Sequence, residues 1–267
     1  MSQPADRFAA FHALHHADRP LFLPNAWDYA CAAALSRDGH PAIGTTSLGV
    51  AAAAGRPDAA AATRDETLAL ARRLGRLPSL LTVDIEAGFS DEPQAVANLA
   101  GELAAAGAVG VNLEDGRPDG GLTHPAHHSN KIAAIKALVP DLFVNARTDT
   151  FWLGDSNDRP PLGDTIRRAA AYIAAGADAV FVPGAVDTTT IALLIGEIDA
   201  PLNVLYAPGR HALDELARLG VARVSTGSLL FRVALAATIR AADAVRRGVD
   251  LDGGPVPSYA DVQELVT

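Results

Sequence analysis

Short apolar runs recur along the chain, and after each one the apolar residues return every three or four positions. The runs are LFLPNA (21–26), AIGTTS (42–47), LLTVDIE (80–86), AVGVNLE (108–114), LFVNAR (142–147), AVFVPG (179–184), PLNVLY (201–206) and RVSTGS (223–228). Helical periodicity fills 28–37, 64–76, 94–106, 130–138, 164–175, 187–197 and 211–219, and the longest such stretch, 229–247, comes last. Near-continuous apolar strands alternating with helices describe parallel strands covered by helices. Eight such units predict a closed (β/α)8 TIM-type barrel, with an open doubly wound sheet as the alternative. The segments AAGAVGV (105–111) and AAGADAV (174–180) fit this, each ending a helix near Gly and passing straight into a strand. No linker rich in Pro, Gly or Ser interrupts the pattern, so residues 1–267 read as a single barrel domain.

Composition narrows the setting. A single barrel fills a chain of 267 residues, and 49% hydrophobic with 20% charged residues supplies a large core. A net charge of −9 argues against nucleic acid or an anionic membrane as a general partner. No apolar run approaches the roughly 20 residues that span a bilayer, and MSQPADRFAAFHALHHADRP lacks a secretory hydrophobic region. The single cysteine, Cys31, cannot form an internal disulfide, which fits a reducing compartment. The expectation is a soluble cytoplasmic protein. The alanine-rich stretches 51–62 and 100–108 read as helical composition.

In such a barrel the chemistry gathers at the C-terminal ends of the strands. The third run ends in Asp84 and Glu86, the fourth in Asn112 and Glu114, and the fifth in Asn145 and Arg147. Residues at i and i+2 share a face of a strand, and neighbouring strands lie about 4.8 Å apart. Asp84, Glu86 and Glu114 are therefore expected to crowd one small volume, where like charges raise each other's pKa unless a cation neutralises them. Oxygen ligands with no cysteine nearby favour a hard ion, and Mg²⁺ suits best because it takes few carboxylates and keeps waters, with Mn²⁺ as a substitute. The alternative is that these acids cap helices or pair with basic residues. Arg147 has two readings as well: a fork for an anionic substrate, or an ion pair to one of the acids. The turn TTSLGVAAAAGRPD offers hydroxyls and backbone N–H groups to a second carboxylate or an oxyanion. His124, His127 and His128 read either as a gate or general acid on a lid or as exposed residues leading into the helix at 130–138. STGSLLF (225–231) reads as a phosphate cradle or as a simple lead into the last helix.

With these residues in place, the chain resembles the isocitrate lyase/phosphoenolpyruvate mutase superfamily, in particular its short bacterial phosphonomutase-like members. The likeness rests on NAWDYACAAAL, TTSLGVAAAAGRPD, VDIEAGFS, VNLEDG, NARTD, VFVPG and PLNVL, in order across most of the chain. It implies a (β/α)8 barrel whose last helix, 229–247, is exchanged between the subunits of a dimer or tetramer. It also implies a Mg²⁺-bound 2-oxo acid. Asp84 would ligate the metal directly, while Glu86, Glu114 and Asp58 would hold it mainly through its waters. Thr46, Ser47 and Leu48 would contact the substrate carboxylate or oxo group, with Arg147 opposite, so that Arg147, Glu114 and Asp58 serve the chemistry.

The sequence departs from the lyases of that superfamily at one place. They carry a Lys/Arg-Cys-Gly-His loop after the fourth-strand acid, whereas this chain has EDGRPDGGLTHPAHH, and Cys31 lies far away in the first helix. The expected function is therefore cleavage of a bond at C3 of a small 2-oxo dicarboxylate through a metal-stabilised enolate, with oxaloacetate decarboxylation first. Hydrolysis or rearrangement of the C–P bond of phosphonopyruvate is the second reading. A 2-oxo acid binding protein with little turnover, for example for 2-oxoglutarate, is the third. Lys131 and Lys136, the only lysines, sit poorly for a Schiff base.

Overall fold

The computed structural model describes residues 4–154, 161–251 and 254–266. In chain order the strands are β1 (Leu21–Leu23), β2 (Asn25–Ala26), β3 (Ala42–Thr45), β4 (Leu80–Asp84), β5 (Ala108–Glu114), β6 (Phe143–Arg147), β7 (Ala179–Phe181), β8 (Leu202–Leu205) and β9 (Arg223–Ser225). The helices are α1 (Pro4–Leu14), α2 (Tyr29–Arg37), α3 (Ser47–Ala53), α4 (Arg64–Leu74), α5 (Pro93–Ala105), α6 (Pro125–Leu138), α7 (Leu162–Ala174), α8 (Thr188–Glu197), α9 (Leu213–Leu219), α10 (Leu229–Arg247) and α11 (Tyr259–Gln263). No described helix is long and apolar enough to cross a membrane.

Every strand pair is parallel, and the order β1-β9-β8-β7-β6-β5-β4-β3-β2 returns on itself because β1 and β2 are halves of one predicted run. Pro24 divides that run, since its ring leaves no N–H for a ladder. Leu23 C=O accepts from Thr226 N at 3.2 Å and Pro24 C=O from Gly44 N at 3.0 Å, so pairing passes from β9 to β3 at the proline. Asn25 stitches this seam: its backbone N–H donates to Thr226 Oγ1 at 2.9 Å, and its Oδ1 accepts from Thr226 N at 3.0 Å and Gly227 N at 2.9 Å. The closed order excludes the open-sheet alternative.

The strands are buried on both faces, as near-continuous apolar runs require. Gly107 and Gly176 follow α5 and α7 at φ +98° and +103°, the left-handed conformation that stops a helix cheaply only at glycine. At the N-terminal end of the barrel α1 forms a plug. Its Phe11 is fully buried and meets Phe143 edge-on at 5.1 Å, in a cluster with Leu21, Leu23 and Val109.

Candidate active site

The C-terminal ends of the strands surround a cavity of about 390 Å³. Thr46, Ser47 and Leu48 after β3, Asp84 at the end of β4, Glu114 on β5 and Arg147 on β6 all line it. Asp58 reaches it from the segment between α3 and α4. The stretch expected as an open turn after β3 instead becomes helix α3 from Ser47 onward.

Glu86 departs from expectation. β4 ends at Asp84, and Glu86 stands beyond it at φ +50°, so strand alternation no longer sets its direction. Its carboxylate turns to the neighbouring loop, where Oε2 accepts from Ala61 N at 3.1 Å and Oε1 from the Thr63 hydroxyl at 3.0 Å. It lines an adjoining cavity of about 270 Å³, together with Glu114 and Lys131. Among the described residues, non-glycine positions with positive φ are Ala59, Ala61, Glu86 and Phe89, all in the two loops beside these acids. Strain held at such places is characteristic of sites whose geometry the surrounding fold enforces.

Burial pushes the Asp84 carboxyl up, Arg147 and the Glu86 and Ser47 N–H groups pull it back, and Asp58 adds to the rise. Glu86 is raised by burial against its bonds to Ala61 and Thr63, with Asp84 and Asp58 pushing further. Glu114 is raised by burial, opposed by Arg147 and reinforced by Asp84, Asp149 and Glu86. The acids thus feel one another, yet among the described residues no three His, Cys, Asp or Glu side chains converge as a direct ligand set. Asp84, Glu86 and Glu114 therefore interact with one another without forming a compact set of three direct ligands. The arrangement still fits a hydrated Mg²⁺. Asp84, Asp58 and Glu114 line one cavity and could hold such an ion and its waters, and Asp58 Oδ1 is buried with no partner to satisfy it.

Arg147 is ion-paired and also lines the cavity, so the structure leaves room for both of its readings. Its Nη1 lies 2.7 Å from Glu114 Oε2, its Nε donates to Asp149 Oδ1 at 2.6 Å, and the Phe181 ring lies 5.8 Å from its guanidinium. Burial opposes its charge, but Glu114, Asp149 and Asp84 outweigh that and hold it protonated. Sequence reasoning missed what stands behind this pair. Asp149 N donates to Asp115 Oδ1 at 2.8 Å, and fully buried Asp115 also accepts from Arg168 at 3.1 Å and Tyr172 at 2.6 Å.

The three loop histidines do not form a lid. α6 starts at Pro125, five residues before the predicted helix, with His124 capping it by accepting from Ala126 N at 3.3 Å. His128 is buried against Tyr172, ring centroids 4.5 Å apart, and His124, His127 and His128 are all absent from the cavity lining. Cys31 is half-buried on α2, packed against the core. Gly227 and Ser228 line the cavity but run directly into α10.

A parallel barrel with acids, hydroxyls and an arginine gathered at its C-terminal mouth defines a (β/α)8 enzyme site. Comparison with known sequences narrows this class. The sequence model of the phosphoenolpyruvate phosphomutase family matches residues 11–246, and the chain belongs to that family, within the isocitrate lyase/phosphoenolpyruvate mutase superfamily of lyases, mutases and hydrolases. An uncharacterized protein of Mycobacterium tuberculosis is 46% identical over 254 residues, 95% of either chain. A 2-methylisocitrate lyase of Halalkalibacterium halodurans is 31% identical over 74% of this chain and 66% of its own. An oxaloacetate decarboxylase of Paraburkholderia xenovorans is 32% identical over 76% of this chain and 69% of its own. Among solved structures, one from Burkholderia cenocepacia J2315 assigned as a lyase/mutase superposes with a TM-score of 0.87 at 36% identity, covering 98% of this chain and 96% of that one. A phosphonopyruvate hydrolase solved with oxalate and Mg²⁺ shares the fold, with a TM-score of 0.84 at 23% identity over 97% of this chain and 94% of that one.

Proposed function

We propose that this protein is a Mg²⁺-dependent lyase that breaks a bond at C3 of a small 2-oxo dicarboxylate, with decarboxylation of oxaloacetate to pyruvate as the specific reaction. The observation that carries the reading is Asp84, recessed in the cavity with Asp58 and Glu114 beside it. Asp84 would hold the ion, with Asp58, Glu86 and Glu114 holding its waters. When bound, Mg²⁺ supplies Lewis-acid stabilisation of the negative charge that develops on the 2-oxo oxygen as the bond at C3 breaks. Thr46, Ser47 and Leu48 take one side of the substrate's carboxylate and oxo group, and Arg147 takes the other. Arg147 also fixes Glu114, and Asp149 fixes Arg147, so the charged groups are oriented before substrate arrives.

The choice of bond rests on the loop after β5, which contains no cysteine, and on Cys31, which is absent from the cavity lining. The similarity to an oxaloacetate decarboxylase supports the same choice. Pyruvate release from oxaloacetate, with and without Mg²⁺, in wild type and Asp84→Ala, tests it. The expected loss is about 100-fold or more for the variant or for metal removal, the scale on which a principal charge-stabilising group acts. Equal rates under all conditions would refute the reading, and phosphate release from phosphonopyruvate in place of pyruvate release would move the reaction to the C–P bond.

The proposed active form is an oligomer, a dimer or tetramer in which α10 is exchanged between subunits. Support comes from α10 itself, where Val233, Leu235, Ile239 and Val245 are 52%, 50%, 70% and 71% exposed. Such apolar exposure on more than one side of a helix marks a surface that a partner covers.

A further inference from the structure

Beneath the cavity the barrel interior is polar. Arg223, the first residue of β9, is fully buried, and no carboxylate pairs with it among the described residues. Its Nε donates to Ser225 Oγ at 2.9 Å and its Nη2 to Asn112 Oδ1 at 3.2 Å, while Nη1 has no partner. Asn112 Oδ1 also accepts from Asn145 Nδ2 at 2.9 Å, and Ser225 donates its own proton to Asn203 Oδ1 at 3.1 Å. Asn112 and Ser225 line the cavity, and Arg223, Asn145 and Asn203 form the sealed layer that supports them.

A guanidinium carries donors only, so whatever faces it must accept. Asn112 therefore has one satisfactory orientation, with its oxygen toward Arg223 and Asn145. The reverse would set an NH₂ group against two donors. With Oδ1 engaged twice, the group Asn112 offers to the cavity is Nδ2. That nitrogen donates to no protein group among the described residues and is not among the sealed-off polar atoms. The strand register pairs Asn112 with Asp84, which places this neutral donor next to the principal acid of the site. A buried guanidinium with no carboxylate in ion-pair contact is costly, although Asp84 favours its charge, and apolar replacement of buried charges often leaves a protein as stable as before. The lock on Asn112 supplies a functional reason for retaining it.

We propose that Asn112 is a substrate-orienting residue that donates from Nδ2 to an oxygen of the bound 2-oxo acid, and that Arg223 is the positioning residue that fixes this amide. The assignment rests on the 2-oxo acid reading of the site. Asn112→Asp tests it with almost no change of shape: one oxygen still accepts from Arg223 and Asn145, while the donor becomes an acceptor. The measurements are calorimetric titration with oxalate at saturating Mg²⁺, titration with Mg²⁺ alone, and thermal unfolding. Oxalate affinity is expected to fall at least tenfold, with Mg²⁺ affinity not weakened and Tm not lowered, because Arg223 gains a carboxylate partner. Arg223→Met, which frees the amide to turn, is expected to lose oxalate affinity several-fold at unchanged Tm, with Arg223→Lys recovering part of it. The assignment is overturned if Asn112→Asp binds oxalate within twofold of wild type, or if both variants lose affinity only in step with Tm. Wild type that binds Mg²⁺ and oxalate while Asn112→Asp is unaffected defeats this assignment alone. Wild type that binds neither defeats the 2-oxo acid reading and this assignment with it.

Discussion

Tyr172 on α7 donates its hydroxyl to Asp115 at 2.6 Å, and Arg168 reaches the same oxygen at 3.1 Å. Asp115 accepts from Asp149 N, and Asp149 takes Arg147 Nε, so one relay runs from the helix layer to the cavity arginine. Hydrogen bonds to charged groups contribute about 1.5–3 kcal/mol each, and the Tyr172 bond is sealed from water. Tyr172→Phe is therefore expected to lower stability by about 2 kcal/mol in urea unfolding. An unchanged midpoint would mean that Arg168 alone holds Asp115. This relay marks a limit of what the chain discloses by itself. Asp84, Asn112, Glu114 and Arg147 were legible because strand alternation points them at the barrel mouth. Asp115 has the opposite parity, Asp149 lies beyond the end of β6, and their partners on α7 come from a distant stretch that no spacing rule connects to them. Glu86 was misplaced for a related reason: alternation holds only while the strand lasts, and β4 ends two residues earlier.

Among the elements, the eight apolar runs and the helices between them were readable because strands buried on both faces and helices buried on one leave different periods in sequence. Three features were not. Pro24 breaks the first run without breaking the barrel, because each half pairs with a different neighbour. α6 starts early because His124 and Pro125 supply a cap and a favoured first residue, a local signal that the apolar period does not carry. α1 lies outside the repeating unit, so the alternation gave no reason to expect it. α10 was predicted over its full length, 229–247, and its exposed apolar residues are the surface that the proposed assembly would cover. Leu235→Glu with Ile239→Glu is expected to convert the oligomer to a monomer at micromolar concentration in light scattering. An undisturbed assembly would remove α10 from the interface.

The molecule as a whole carries two sealed histidines at opposite ends of the barrel. Burial, reinforced by Arg223, lowers His15 to about 3, and burial with Lys131 and Arg168 lowers His128 to about 3. In the unfolded chain both would titrate near 6.5. Between those values the unfolded state binds more protons, so each histidine contributes stability that is present above pH 6.5 and is lost as the pH falls toward 3. The recessed acids act in the opposite sense, so the histidine contribution appears as a difference between proteins. From pH 7 to pH 5 wild type is expected to lose about 2 kcal/mol more than His128→Gln. Urea unfolding at the two pH values measures this, and parallel losses would show that His128 is protonated in the folded state.

The split at Pro24 also sets a timetable. The first strand of the barrel finds one partner soon, in β3, but waits for the other until β9, whose Arg223 pairs with Leu21, exists. Pairings so distant in sequence are entropically expensive and form late. A growing chain that has reached β8 is an open sheet with two raw edges, β1 and β8, and β9 joins both at once. The strand that supplies Arg223 and Ser225 to the floor of the site is thus the one that closes the barrel, so an incomplete chain has neither a sealed wall nor a finished pocket.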